Sequence, residues 1–193
     1  MCGLCSFNKL VHSLTGVHMA FYTLTDWLGL IPLGFMLGFA LLGLVQLVKR
    51  RSLFRVDADI LVLGGFYIVV IAAYFLFETV VVNYRPVLID GYLEASYPSS
   101  TTLLVLCVMP TAVLQLNERM QNPKARKAVA YSMTAFTVFM VIGRLISGVH
   151  WVTDIIGEFL LSVGLGMIYD SVTKLIRRTE GSRSTGEDDS NQK

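Results

Sequence analysis

Charge is scarce in this chain. Only 16% of its 193 residues are Asp, Glu, Lys or Arg, against 54% that are hydrophobic. A soluble domain of this length carries more charge, so the composition excludes that class and predicts an integral membrane protein folded as one compact domain. Cysteine is scarce as well. Cys2 and Cys5 form a Cys-x-x-Cys pair with too few ligands for a metal site, leaving acylation or no role, and Cys107 lies in an apolar run where packing is its reading. Histidine is limited to His12, His18 and His150, so imidazole chemistry has three possible carriers. No internal repeat is present, which argues against a small transporter. No small-residue cleavage pattern accompanies the first apolar run, so a cleavable signal peptide is not expected. The net charge of +2 excludes little, because placement of the charges matters more.

What is present is a series of long apolar runs. Residues 28–48 are uncharged and long enough to cross a bilayer, and Gly34 and Gly38 within them permit close helix contact. Further spans are expected near 60–84, 99–117, 128–148 and 153–170, with Pro110 a candidate kink and Glu158 inside the last. Residues 7–27 are rich in aromatic and aliphatic side chains but carry Lys9, His12 and His18, and read as either an interfacial amphipathic helix or a short sixth span. The predicted fold is an all-α membrane bundle of five to six transmembrane or interfacial helices over 1–178. Residues 179–193 are rich in Ser, Gly, Glu and Asp and are expected to be disordered.

Basic residues set the topology. Lys49, Arg50, Arg51 and Arg55 lie between the first two spans, Arg119, Lys124, Arg126 and Lys127 between the third and fourth, and Lys174, Arg177 and Arg178 after the fifth. These three clusters belong on the cytoplasmic side. The opposite loops hold Arg85 and Arg144 alone. A charge bordering an apolar span is a functional hypothesis by default, so a site opening to the extracytoplasmic side, in the plasma membrane, is expected.

Those two arginines belong to a spaced pattern. Asn83-Tyr84-Arg85-Pro86 is followed by Tyr97-Pro98-Ser99-Ser100-Thr101, and then by Arg144, His150 and Asp154. Arginine offers permanently charged, bidentate hydrogen bonds to phosphate oxygens. A nucleophilic histidine needs a group that fixes its tautomer, and a carboxylate four residues on lies on the same helical face. Asp154 can also cap the helix that follows. Tyr84, Tyr92 and Tyr97 read as an interfacial belt.

Here the sequence resembles the type 2 phosphatidic acid phosphatase family, related to the vanadium haloperoxidases, whose motifs are Lys-x6-Arg-Pro, Pro-Ser-Gly-His and Ser-Arg-x5-His-x3-Asp. Arg85-Pro86, Pro98-Ser99, and Arg144 with His150 and Asp154 carry the match. The resemblance implies an acid phosphatase/vanadium haloperoxidase-like helical bundle that hydrolyses a membrane lipid phosphate or diphosphate without a metal or other cofactor. His150 would form a phosphohistidine, Asp154 would orient it, and Arg85, Arg144 and the amides near Ser99, Ser100 and Thr101 would hold the phosphoryl oxygens. The bilayer and its lipids are the expected partners; no nucleic acid is, and the oligomeric state is left open.

Three positions depart from the motifs. Gly143 replaces the leading Ser of the third, a mild change. Glu78 replaces the leading Lys, putting an anion where a phosphate cation is expected, unless it pairs with Arg85 or Arg144. Thr101 replaces the His that serves the family as general acid, and loss of such a group costs about 100- to 10,000-fold. Outside the motifs, His18 is the available replacement acid. A diphosphate ester avoids the difficulty, because its leaving phosphate has a second pKa of about 6 and hardly needs a proton. Two readings follow: a phosphatase favouring prenyl diphosphates, or a member that binds lipid phosphates without turnover.

Overall fold

The computed structural model describes residues 5–89 and 91–191. Cys2 and the last two residues of the chain lie outside them. Helices α1 Cys5–Thr15, α2 Met19–Leu28 and α3 Leu30–Arg50 come first. A short 3-10 turn, Leu53–Arg55, leads into α4 Ala58–Thr79, and α5 Ser100–Arg119, α6 Pro123–Ser147 and α7 Val152–Asn191 complete the chain.

Among the described residues five stretches are long and apolar enough to cross a membrane: Met19–Arg50, Ala58–Thr79, Ser100–Arg119, Pro123–Ser147 and Val152–Thr179. The first starts earlier than 28, so residues 19–27 of the ambiguous N-terminal region join a span, while α1 and the turn after it lie apart from it. Its junction at Gly29 follows from Pro32, which has no N–H to return to the Leu28 carbonyl. At the junction the Gly29 amide donates to both Thr25 O and Asp26 O at 3.0 Å. Helix α4 stops at Thr79 instead of running to 84. The β-branched run Val80-Val81-Val82 and Asn83 favour extended backbone, and the chain enters a loop in which Tyr84 pairs with Ala95 and Ile89 with Tyr92. Helix α7 continues to Asn191, through the stretch expected to be a disordered tail. Elongating an existing helix avoids the nucleation cost.

Helix α5 is the centre of the bundle. Ten of its residues are buried, from Thr101 to Gln115, and it packs on α3, α4, α6 and α7. The outer helices turn large apolar side chains outward, among them Ile68, Phe75, Leu160 and Ile168. That surface is at home in hydrocarbon, where helices satisfy their own backbone groups; the protein is an integral membrane protein. Two buried polar side chains of α5 are paired: Gln115 Nε2 donates to Tyr169 Oη at 2.9 Å, and Thr111 Oγ1 returns to Cys107 O at 2.9 Å beside Pro110, through which the helix runs unbroken. One end of the bundle is tied by exposed ion pairs, Arg50 with Asp57 at 2.8 Å and Arg177 with Asp59 at 3.1 Å. The spaced-motif residues lie at the other end.

Candidate active site

Helix α6 ends at Ser147 and α7 begins at Val152, so His150 sits in a four-residue turn. Gly148 opens that turn with φ at +67°, a left-handed conformation that costs a side-chain-bearing residue free energy. The N-terminal segment is pressed against it. A Cβ on Gly148 would stand 2.0 Å from the Gly16 carbonyl oxygen, and the His18 amide donates to Ser147 O at 3.0 Å. Farther along, Asn8 Nδ2 donates to Thr153 Oγ1 at 2.8 Å.

His150 is 4% exposed. Its Nδ1 lies 2.8 Å from the Ser96 carbonyl oxygen. A carbonyl only accepts, so Nδ1 carries the hydrogen and Nε2 holds the lone pair. Nε2 is buried and has no hydrogen-bond partner among the described residues. Burial first, then the positive charge of Arg85, push the His150 pKa down to about 3, with Arg144 adding to the effect and the bond to Ser96 opposing it. The imidazole is therefore neutral near pH 7, with a free nitrogen beside two cations.

Asp154, in the first turn of α7, does not bond His150 as its spacing suggests. It accepts from Ser96 Oγ and, at 3.3 Å, from Asn83 Nδ2. Ser96 joins the two, its carbonyl holding His150 and its hydroxyl holding Asp154. Sequence reasoning misses Ser96 because it belongs to no motif and to no periodic segment; only its place three residues before Ser99 hints at it.

The arginines are only partly satisfied. Arg144, 3% exposed in its side chain, pairs with Asp26 at 2.9 Å and also donates to Thr101 Oγ1, both through Nη2. Its Nε and Nη1 are buried without partners among the described residues. Arg85 donates to Ala95 O at 3.2 Å and pairs with Glu94 at 3.2 Å, while its Nη1 is buried and has no partner among the described residues. Both guanidinium carbons stand over the Tyr22 ring, at 5.8 and 4.8 Å from its centre. Tyr22 and Asp26 lie one turn apart on α2, an apolar-looking segment in which nothing marks them as site residues.

Other expected residues divide. Ser99 is the N-cap of α5, its hydroxyl accepting the Thr102 amide at 3.5 Å. Its own amide is taken by Glu158 Oε1, so it is not free for a phosphoryl oxygen. Glu158 is fully buried and holds that backbone through its carboxylate. Ser100 and Thr101 open α5, where first-turn amides lack intrahelical partners and the helix dipole favours an anion. Glu78 is exposed at the end of α4 and pairs with neither arginine, whose carboxylates are Glu94 and Asp26. His18 is exposed, with Nε2 2.9 Å from Thr15 O. His12, by contrast, lines a small cavity together with His150 and Trp151. Among the described residues no group of three or more His, Cys, Asp or Glu side chains is arranged to hold a metal ion.

The arrangement offers a neutral nucleophilic nitrogen, two guanidinium groups with unused N–H donors and a helix N-terminus. That set suits a tetrahedral oxyanion. Comparison with known proteins points the same way. A family model described as the PAP2 superfamily matches residues 79–177, just over half of the chain. A crystal structure described as the first transmembrane PAP2-type phosphatidylglycerolphosphate phosphatase, from Bacillus subtilis, is similar in fold, with a TM-score of 0.55 at 20% identity over 90% of this chain and 95% of that one. No curated protein matches the sequence.

Proposed function

We propose, since the chain belongs to the PAP2 superfamily, that it hydrolyses the phosphate or diphosphate ester of a membrane lipid through a phosphohistidine at His150. One observation carries the reading: His150 Nε2 holds an unshared lone pair in a buried site that also contains unpaired N–H groups of Arg85 and Arg144. Nε2 attacks phosphorus, and the two guanidiniums hold the equatorial oxygens, whose charge must be stabilised in the transition state. Ser96 keeps the attacking tautomer, and Asp154 fixes Ser96. Water then cleaves the N–P bond.

Thr101 has no titratable proton to give. The motif segment therefore suffices for diphosphate esters, such as prenyl diphosphates, whose leaving phosphate needs none. The three basic clusters at the opposite end support a site that faces the extracytoplasmic side of the plasma membrane.

The test is phosphate release from lipid phosphates and diphosphates by purified protein, with trapping of the labelled intermediate. Release by wild type, lost together with the label in His150→Ala, supports the reading. Binding of lipid phosphate with no release from any ester would establish a non-hydrolytic lipid-phosphate binder instead.

A further inference from the structure

We infer that His12 of α1 is the proton donor that Thr101 cannot be, and that it extends the reaction to alcohol leaving groups; this rests on the phosphatase reading above. His12 and His150 line one cavity, along with Asn8, Thr15 and Trp151. Both rings present a buried nitrogen without a partner among the described residues, Nδ1 of His12 and Nε2 of His150. The His12 ring is half-buried, so water can return a proton to it. It lies 5.7 Å from the Trp151 ring, tilted by 60° to it.

The placement of α1 is built. Asn8, one turn before His12, is 6% exposed. Its amide group donates to Thr153 Oγ1 at 2.8 Å and accepts from the Thr153 amide at 3.3 Å. One turn after His12, the chain meets Gly148 at Gly16. These contacts fix the His12 backbone against the turn that carries His150.

His150 Nε2 forms the N–P bond while the P–O bond to the lipid breaks. The electron pair leaves on the lipid oxygen, which takes the proton of the His12 imidazolium. Neutral His12 then accepts a proton from the water that attacks phosphorus, and the N–P electrons return to His150. Phosphate departs with both histidines restored.

A diphosphate needs this proton little, whereas a monoester of an alcohol needs it fully. The test compares phosphate release from a short-chain phosphatidic acid and from a prenyl diphosphate, using full-length wild type, His12→Gln, Asn8→Ala and Asp26→Asn in detergent. In His12→Gln, kcat on the monoester is expected to fall about 100-fold or more, and on the diphosphate no more than about threefold. Asn8→Ala, which loosens the helix that places His12 but keeps the imidazole, is expected to lower the monoester rate more than the diphosphate rate, and by less than His12→Gln does. An equal loss on both substrates in His12→Gln, or none on the monoester, overturns the assignment. A selective monoester loss in Asp26→Asn but not in His12→Gln gives the proton to Asp26 and also overturns it. Release from neither substrate by wild type overturns the phosphatase reading, and the role of His12 with it.

Discussion

Two regions build the site in different ways. Residues 79–177 match the family and hold His150, the nucleophile of the proposed reaction, together with Arg85 and Arg144. Residues 5–28 lie outside that match, yet they form a wall along the same site, with Asn8 on Thr153, Gly16 on Gly148, Tyr22 beneath both arginines and Asp26 on Arg144. The first region carries chemistry that tolerates little change, because a nucleophile and an anion clamp must stand in fixed geometry. The second acts by shape, counter-charge and a cavity, so its residues need no common spacing.

Substitutions can break or sharpen that contrast. The largest effect belongs to the matched region: His150→Ala is expected to lower phosphate release by at least about 10,000-fold, as loss of a nucleophile does, read by a colorimetric phosphate assay. Arg144→Ala follows, with a loss of about 100- to 1,000-fold in kcat. Arg144→Lys should recover only part of it, because an ammonium lacks the planar fork.

The wall is probed by Gly148→Ala. The new Cβ meets the Gly16 carbonyl and sits on a backbone with φ at +67°. The expected cost is about 1–3 kcal/mol of stability from the backbone alone, seen as a lower Tm. Activity should fall on monoester and diphosphate alike, which separates displacement of the wall from loss of the His12 proton.

A smaller effect is expected of Ser96→Ala, which keeps the carbonyl on His150 and removes the hydroxyl from Asp154. Loss of one hydrogen bond to a charged group predicts about a tenfold fall in kcat, with KM little changed.

The smallest effect is with pH. Because the pKa of His150 is pushed down to about 3, the ring stays neutral on acidification, and labelling of His150 by substrate should not decline between about pH 7 and 5 through its own protonation. Stability moves the other way. The unfolded chain takes this proton near 6.5 and the folded chain only near 3. This residue's stabilising contribution is therefore full above about 6.5 and falls with pH through that window, which a melting series checks.

Much of the matched region could be read directly. Apolar runs of bilayer length announce the spans whatever their packing, and Arg85, Arg144, His150 and Asp154 stand at spacings that few structural roles require. Helix limits were less visible. Val80 to Val82 look as apolar as the helix before them, and only their β-branching tells against continuation. Ser96 and Tyr22 act through a carbonyl and a ring face, which composition and periodicity do not report. His12 and His18 look equivalent in sequence; they differ because α1 docks through Asn8 and faces one toward His150 while the other meets water. Thr101 was visible as a departure, but its bond with Arg144 depends on α5 and α6 packing together.

The contact between Asn8 and Thr153 has a consequence for biogenesis. It joins positions 145 residues apart, and four of the five candidate crossings lie between them. During synthesis the early helix must wait until the last crossing has begun to form before it finds its seat. A half-inserted chain therefore has neither the Gly148 turn nor its covering wall, and it meets the lipids around it without a finished pocket to hold them.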